Sequence, residues 1–279
     1  MERIKQAVEQ ARKERQQAGG DARIHKVAAA QSRVEAPGSD SSENEFKITY
    51  SETRSVGVNL AVRERNRLVA AIPGHALQDT YRMLRTRVLQ EMRANNWTTI
   101  GVTSPNAETG KTLTAINLAI SIARDKSSSC LLFDADLRNP TTAESFGYKP
   151  EFGLNDYLFD DVPLSKVLFH PEMDRLTVLP GRERIYESAE TLSSPKFVSL
   201  LDEVSNRYKE RIVIVDLAPT LEFDDVLTVA PNIDCILMVA ESGETKHEEL
   251  SKALELLQGN EILGTVLNKV DKKVKESVY

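Results

Sequence analysis

The sequence has few cysteines, no long apolar run and no excess of basic residues. Its 279 residues include 2 cysteines. Cys130 and Cys235 each lie beside an apolar, strand-like run, so we interpret them as core residues and not as a disulfide or a metal pair. No stretch approaches the roughly 18–20 continuous apolar residues of a membrane span, and the N-terminus lacks the apolar stretch of a secretory signal. The formal net charge of −6 argues against a nucleic-acid partner. The composition therefore predicts a cytoplasmic protein.

Composition and periodicity divide the chain into four segments. Residues 1–18 place apolar side chains at helical spacing, which predicts an amphipathic helix that is either solvent-exposed or docks on a partner protein. Residues 19–74 are mostly polar, with a Pro-Gly-Ser stretch, and predict a mostly disordered linker. An ordered domain is expected over residues 75–271, followed by a flexible tail over residues 272–279.

Within the ordered domain, short apolar strands alternate with amphipathic helices. The strands are predicted at residues 97–103, 130–133, 176–179, 212–215, 235–239 and 263–267, and the longer helices at 76–94, 111–124, 195–208 and 248–258. Continuous Val, Ile and Leu runs are typical of a parallel sheet that is covered on both faces. The alternating order predicts right-handed crossovers in a doubly wound, mainly parallel α/β sheet.

A phosphate-binding loop is predicted between the first of these strands and the helix that follows it. In such a P-loop, backbone N–H groups cradle phosphates, a lysine reaches the terminal phosphates and a hydroxyl ligates Mg²⁺. Lys111 and Thr112 fit these roles, but Pro105 stands where the full pattern has its first glycine, so the Walker motif is deviant. The predicted nucleotide-binding residues of the loop are Asn106, Ala107, Glu108, Thr109, Gly110, Lys111 and Thr112.

Carboxylates follow two of the predicted strands: Asp134 and Asp136 come after one, and Asp216 ends the other. Ligands of open α/β sheets bind in the crevice at the carboxyl ends of the strands. Two carboxylates suffice to hold Mg²⁺, directly or through water, and a third can orient or deprotonate a hydroxyl nucleophile. The residues therefore predict a metal-nucleotide site with one carboxylate to spare.

Taken together, these motifs resemble those of the bacterial tyrosine kinases, the autokinases associated with polysaccharide co-polymerases. Residues 132–138 look like the second Walker-type motif of that family, and residues 213–219 are similar to its Walker B motif. Residues 79–86 resemble the Glu-x2-Arg-x2-Arg helix through which family subunits contact each other in a ring. Residues 152–158 and 188–197 also resemble family stretches, and the resemblance covers about residues 75–271.

The resemblance implies a P-loop ATPase that uses ATP and Mg²⁺ and phosphorylates itself on tyrosine. It also implies activation by the cytoplasmic segment of a membrane adaptor, a ring-shaped homo-oligomer and a role in exopolysaccharide synthesis and export. Such a protein would be cytoplasmic, peripherally at the inner membrane through that partner. By position, Lys111 and Thr112 would hold phosphate and metal, Asp136 and Asp216 would serve Mg²⁺, and Asp134 would be the catalytic base.

Further roles come from the same resemblance. Arg138 would either bind phosphate or fix its loop, and Asn268 would lie near the base of the nucleotide. Family members usually carry a C-terminal tyrosine cluster as phosphoacceptor; here the single tyrosine of the tail, Tyr279, is the expected acceptor. The residues expected to make subunit contacts are Asp79, Arg82 and Arg85.

Three other functions stay open at this point. Switch ATPases that position division sites or partition plasmids share the fold. Their P-loop usually has an extra lysine, which is missing here because Asn106 stands at its position. Residues 267–271 resemble the Asn-Lys-x-Asp motif with which GTPases read their base. A non-catalytic subunit that senses nucleotide and gates a polysaccharide assembly complex would also fit.

Overall fold

The computed structural model of the protein describes residues 53–208 and 210–270. The predicted N-terminal helix (1–18), the first part of the predicted linker (19–52), the tail (272–279) and its Tyr279 lie outside the described residues. No helix of the described ranges combines the length and the apolar character that crossing a bilayer requires.

An eight-stranded sheet forms the centre of the described domain, in the order β1-β4-β5-β3-β6-β2-β7-β8. Neighbouring strands are parallel except β4 and β5, which pair antiparallel. This confirms the predicted doubly wound, mainly parallel sheet. The strands are β1 Arg54–Ser55, β2 Thr99–Thr103, β3 Ser129–Asp134, β4 Phe169–His170, β5 Leu176–Leu179, β6 Arg211–Asp216, β7 Cys235–Glu241 and β8 Ile262–Asn268.

Helices connect these strands and cover the sheet. They are α1 Leu60–Arg65, α2 Gln78–Asn95, α3 Lys111–Ala123, α4 Thr142–Ser145, α5 Leu154–Asp160, α6 Leu164–Val167, α7 Ser188–Leu192, α8 Pro195–Asn206, α9 Asp225–Val229 and α10 His247–Leu256. Short 3-10 helices lie at Val69–Ala71 and Ala230–Asn232.

The apolar strand residues alternate between two buried clusters, one for each face of the sheet. Leu132 and Ile214 belong to one cluster, whereas Leu131, Phe133 and Val215 belong to the other. This follows from the two-residue period of a strand, whose successive side chains point to opposite faces. Fully burying one such side chain contributes about 1.5–3 kcal/mol, so both faces anchor the strands. The cysteines are buried and unbridged in this core, as predicted.

The ordered domain begins earlier than predicted. Residues 53–74 were predicted as the end of a disordered linker, but β1, α1 and a 3-10 helix form there, and Leu68 and Ala71 are buried. The side chain of Asn117 in α3 accepts a hydrogen bond from the Ala70 N–H (2.9 Å) and donates one to the Arg67 carbonyl (3.1 Å). The prediction was wrong because this short segment is ordered by a distant helix and has no long periodic pattern of its own.

The register of the central strands brings the predicted carboxylates to one edge of the sheet. Asp134 at the end of β3 is the direct neighbour of Asp216 at the end of β6. Asp216 in turn pairs with Val102 of β2, one residue before that strand ends. Since neighbouring residues of a parallel pair direct their side chains to the same face, both carboxylates lie together beside the loop that follows β2.

Candidate nucleotide site

The predicted P-loop connects β2 to the first residue of α3. Gly110 precedes the helix with a φ of +89°, a left-handed conformation that glycine adopts at little cost. A Cβ at this position would lie 2.3 Å from Nδ2 of Asn268 and would displace that amide. The helix therefore begins at Lys111 with free backbone N–H groups at its N-terminus, which is a favourable place for phosphate.

Side chains at the end of β8 donate hydrogen bonds to backbone carbonyls of the P-loop. Asn268 Nδ2 donates to the Thr109 carbonyl (2.8 Å), and Lys269 Nζ donates to the Glu108 carbonyl (2.7 Å). Lys269 also forms an ion pair with Glu241 at 2.9 Å. Asn268 was predicted to lie near the nucleotide base. In the structure its amide positions the loop, and a contact with the base stays a prediction.

A carboxylate already lies on the phosphate-binding loop. The Ala107 N–H, one of the groups predicted to cradle phosphate, donates to Oε1 of Glu222 at 2.6 Å. Glu222 belongs to the segment between β6 and α9 and is exposed. No sequence motif pointed to this residue, because the two partners are 115 positions apart. A bound phosphate and Glu222 would compete for the same N–H group.

Lys111 lies over the acidic cluster. Its Nζ is 2.5 Å from Asp136 Oδ2, 3.9 Å from Asp216 Oδ1 and 3.2 Å from the hydroxyl of Thr112. Burial works against the ammonium, but the charges of Asp216 and Asp136 outweigh it and raise the pKa of Lys111. Lys111 is therefore a cation that two carboxylates hold.

Burial changes the protonation of the carboxylates behind Lys111. The pKa of Asp134 is raised to about 8, first by burial and then by the charge of Asp216. The pKa of Asp216 is raised to about 6, mainly by burial, and the Lys111 charge works against that rise. Both directions follow from placing two carboxylates side by side in a site that excludes water. The site therefore contains acids that exchange protons near neutral pH.

Several oxygens of this cluster lack hydrogen-bond partners among the described residues. They are both carboxylate oxygens of Asp216, one of Asp134 and the hydroxyl of Thr109. Asp134 uses its other oxygen to accept from the Thr142 N–H (3.0 Å). Within the described ranges, no group of three or more His, Cys, Asp or Glu residues is arranged to hold a metal by itself. The arrangement fits Mg²⁺, which usually takes one or two carboxylates and completes its shell with phosphate and water.

Arg138 is held by a buried acidic residue that was not predicted as part of the site. Its guanidinium donates twice to Asp225, at 3.2 and 3.3 Å, and lies 4.8 Å from the centre of the Phe223 ring. Asp225 is fully buried and also accepts from the hydroxyl of Ser188 at 2.6 Å. These contacts agree with one predicted role of Arg138, which is to fix its loop. The other role, phosphate binding, stays a prediction.

A cavity of about 490 Å³ opens between these groups. Its walls include Ala107, Glu108, Gly110, Lys111, Thr112, Asp136, Arg138, Arg184 and Glu222. Most of the predicted phosphate-binding residues thus face one space. Asp134 and Asp216 are buried deeper and are not among the residues that line it. Lys111 must move towards a ligand before these two carboxylates are reached.

The predicted subunit-contact residues lie on α2, away from this cavity. Asp79 and Arg82 are exposed and pair within the helix at 2.9 Å. Arg85 donates to the Ser121 carbonyl of α3 at 3.0 Å, so it contacts its own chain. Asp79 and Arg82 are accessible to another molecule, and their role as subunit contacts stays a prediction.

Comparison with known proteins gives a consistent picture. Residues 100–278 match the family described as the CobQ/CobB/MinD/ParA nucleotide binding domain. Tyrosine-protein kinase YwqD of Bacillus subtilis is 29% identical over 207 residues, which cover 74% of this chain and 86% of that protein. The kinase domain of the Escherichia coli tyrosine kinase ETK superposes with a TM-score of 0.70 at 26% identity, covering 81% of this chain and 91% of that domain.

A third relative is much longer than the matched region. The succinoglycan biosynthesis transport protein ExoP of Rhizobium meliloti is 28% identical over 211 residues. The match covers 74% of this chain but 26% of ExoP. In that relative, the region similar to this chain is a small part of the whole.

Proposed function

The chain belongs to the CobQ/CobB/MinD/ParA nucleotide-binding domain family, and on this premise we propose that it is an ATP- and Mg²⁺-dependent protein-tyrosine autokinase that regulates exopolysaccharide polymerisation and export. The similarity to YwqD and to the ETK kinase domain supports this assignment. The single observation that carries it is the pairing of Asp134 with Asp216 beside the P-loop lysine.

That pairing supports a kinase because phosphoryl transfer to a hydroxyl needs a proton acceptor in addition to the metal ligands. Thr112, Asp136 and Asp216 would hold Mg²⁺, whose charge counters the charge that develops on the phosphates. Asp134 would accept the phenolic proton, for which it must be ionised. In the nucleotide-free protein its pKa is raised to about 8, so it holds a proton of its own; the positive charge of Mg²⁺ beside it would lower that pKa and release the proton.

Lys111 would contribute by changing partners. In the described conformation its ammonium lies on Asp136 and near Asp216. Reaching the terminal phosphates would release both carboxylates for the metal and open the way to Asp134. The N–H groups at the start of α3 would orient the phosphates. In this proposal the nucleotide itself completes the catalytic arrangement.

We further propose that the protein acts at the inner membrane through a partner. The partner would be the cytoplasmic segment of a membrane polysaccharide co-polymerase, which agrees with the similarity to part of the transport protein ExoP. The chain would form a homo-oligomeric ring through Asp79, Arg82 and Arg85, and Tyr279 would accept phosphate from a neighbouring subunit.

The test is a phosphotyrosine assay on the purified full chain with ATP and Mg²⁺, with and without the cytoplasmic segment of its co-polymerase. We expect phosphotyrosine that increases with the segment and disappears in Lys111→Met. Asp134→Asn should retain nucleotide binding and lose phosphorylation. If Asp134→Asn still phosphorylates itself, Asp134 is not the base.

The alternatives have their own readouts in the same assay. ATP-dependent dimerisation or hydrolysis without phosphotyrosine, even with the co-polymerase segment, would support a switch ATPase. Binding of ATP without turnover would support the nucleotide-sensing subunit. Stronger binding of GTP than of ATP would support the GTPase. Each of these results contradicts the kinase proposal.

A further inference from the structure

The tyrosines of the described domain differ in their exposure. Tyr81, Tyr148 and Tyr157 are half-buried, and all three pack against the apolar core. Tyr208 is 41% exposed, whereas Tyr186 is 75% exposed. A tyrosine that accepts a phosphoryl group must present its hydroxyl to the nucleotide without unfolding its surroundings. Among residues 53–208 and 210–270, Tyr186 and Tyr208 meet this condition best.

Their positions in the fold separate these two tyrosines. Tyr208 lies just before β6, the strand that ends at Asp216, so it belongs to the opposite edge of the sheet from the nucleotide cavity. Six residues of strand separate the two edges by roughly 17–20 Å. Tyr186 lies between β5 and α7, on the same edge as the cavity.

The segment that carries Tyr186 is attached to the second Walker-type motif. The Ile185 N–H donates to the Leu137 carbonyl at 2.8 Å. The guanidinium of Arg138 donates to the Tyr186 carbonyl at 2.6 Å. Since Arg138 also lines the nucleotide cavity, Tyr186 is one side chain away from it.

Arg184 links the Tyr186 ring to the same cavity. Its guanidinium lies 5.0 Å from the centre of the ring, within the range of a cation–π contact. Arg184 lines both the nucleotide cavity and a second cavity of about 690 Å³, which Tyr186 also lines. The ring therefore lies between an open space and a cation that faces the predicted phosphates.

We propose that Tyr186 is a phosphoacceptor of this chain, in addition to any acceptor in the tail. The inference rests on the proposed kinase function. In the step, a bond forms between Oη of Tyr186 and the γ-phosphorus of ATP. The bond from that phosphorus to the β–γ bridging oxygen breaks, and ADP leaves with its electron pair. The phenolic proton passes to Asp134, the proposed acceptor, in the ionised form that it would take once Mg²⁺ is bound beside it.

Phosphate on Tyr186 would have a defined local effect. It adds about two negative charges beside Arg184, which can pair with it, and near Glu187 and Glu190, which repel it. Arg184 would then turn from the nucleotide cavity towards the phosphate. The modification would thus remove a positive charge from the nucleotide cavity before the next nucleotide binds.

Peptide mapping tests the proposal directly. After incubation with ATP, Mg²⁺ and the co-polymerase segment, trypsin releases residues 185–196, in which Tyr186 is the sole tyrosine. We expect phosphate on Tyr186 in this peptide. Tyr186→Phe should remove that signal and lower total phosphotyrosine, whereas the matched variant Tyr208→Phe, at the far edge of the sheet, should leave both unchanged. Tyr279→Phe should retain phosphate on Tyr186.

The outcomes distinguish this inference from the function on which it rests. Phosphotyrosine on other residues, with none on Tyr186, overturns the acceptor assignment and leaves the kinase intact. An absence of phosphotyrosine from the whole protein overturns the kinase proposal instead. Phosphate on Tyr186 that persists in Lys111→Met would show a contaminating kinase and would also count against the assignment.

Discussion

At the scale of single residues, the site is built on an unfavourable pair. Asp134 and Asp216 are adjacent in the sheet, fully buried and short of hydrogen-bond donors. Leaving a buried polar group unpaired costs about 1–3 kcal/mol. We interpret this cost as the consequence of keeping a place for the proposed metal ion, because a bound cation would satisfy the same oxygens.

The first prediction concerns the stability of the nucleotide-free protein. Folded Asp134 keeps its proton up to about pH 8, while an unfolded aspartate loses it near 4, so the free energy of unfolding falls as the pH rises between these values. Asp134→Asn removes this loss, which is at most about 1.4 kcal/mol per pH unit. Urea unfolding should show a stabilisation that is larger at pH 8 than at pH 5.

The matched control for this prediction is Asp160→Asn, which changes an exposed carboxylate at the end of α5. It should alter the unfolding free energy little at either pH. An Asp134→Asn effect that is the same at both pH values would show that the carboxyl does not titrate differently in the folded state.

The second prediction concerns Glu222, whose carboxylate accepts a hydrogen bond from the Ala107 N–H. Glu222→Gln keeps the size of the side chain but removes the charge that competes with phosphate. We expect nucleotide affinity to increase about 5–10-fold, equivalent to roughly 1–1.4 kcal/mol. Calorimetric titration with ADP and Mg²⁺ measures it. Glu244→Gln, at an exposed turn, is the control, and unchanged affinity in Glu222→Gln would contradict competition at the loop.

At the scale of elements, α3 is the helix on which most of the site depends. It begins at the P-loop, and its buried Asn117 fastens the segment before α2 through hydrogen bonds to Ala70 and Arg67. That segment therefore packs against the helix. Its order depends in part on α3, in addition to its own buried residues such as Leu68.

The third prediction tests this support. Asn117→Ala leaves the buried Ala70 N–H without its acceptor and should destabilise the domain by about 2 kcal/mol. Chemical unfolding measures the change, and Asn95→Ala at the exposed end of α2 is the control. A loss as small as that of the control would mean that the segment is held by its apolar contacts alone.

The sequence predicts those elements that have a strong local pattern. The long strands β3, β6 and β7 follow from their apolar runs, and α3 follows from the loop before it. By contrast, β1 and β4 have two residues each, too few for any periodicity. Within the site, Lys111, Asp136 and Asp216 were predicted from motifs, whereas Glu222 and Asp225 were not. Glu222 contacts a residue 115 positions away and Asp225 contacts one 87 positions away, so only folding brings each pair together.

At the scale of the whole molecule, the proposed assembly into a ring depends on the exposed face of α2. Arg82 and Asp79 satisfy each other only within the helix, and Met83 beside them is 59% exposed. An isolated surface ion pair of this kind contributes about 0–1 kcal/mol, so breaking it to pair with another subunit costs little. The face is therefore suited to an exchange of partners.

The fourth prediction is that charge reversal on this face weakens self-association. Arg82→Glu should shift the protein towards monomer in light scattering with ATP and Mg²⁺, because it places like charges beside Asp79. Arg87→Glu, an exposed reversal on the same helix, controls for net charge. If both variants shift equally, net charge and not a specific contact determines assembly.

The attachment of the P-loop to β8 has a mechanical consequence. Among the described strands, β8 lies at the edge of the sheet and pairs with β7 alone, so it can detach at a lower free-energy cost than the central strands. When it detaches, the carbonyls of Glu108 and Thr109 lose Lys269 and Asn268, and the loop loses its shape. Tension on the chain beyond residue 270 would therefore lower the affinity for nucleotide. Amide exchange in β8 should slow when nucleotide binds.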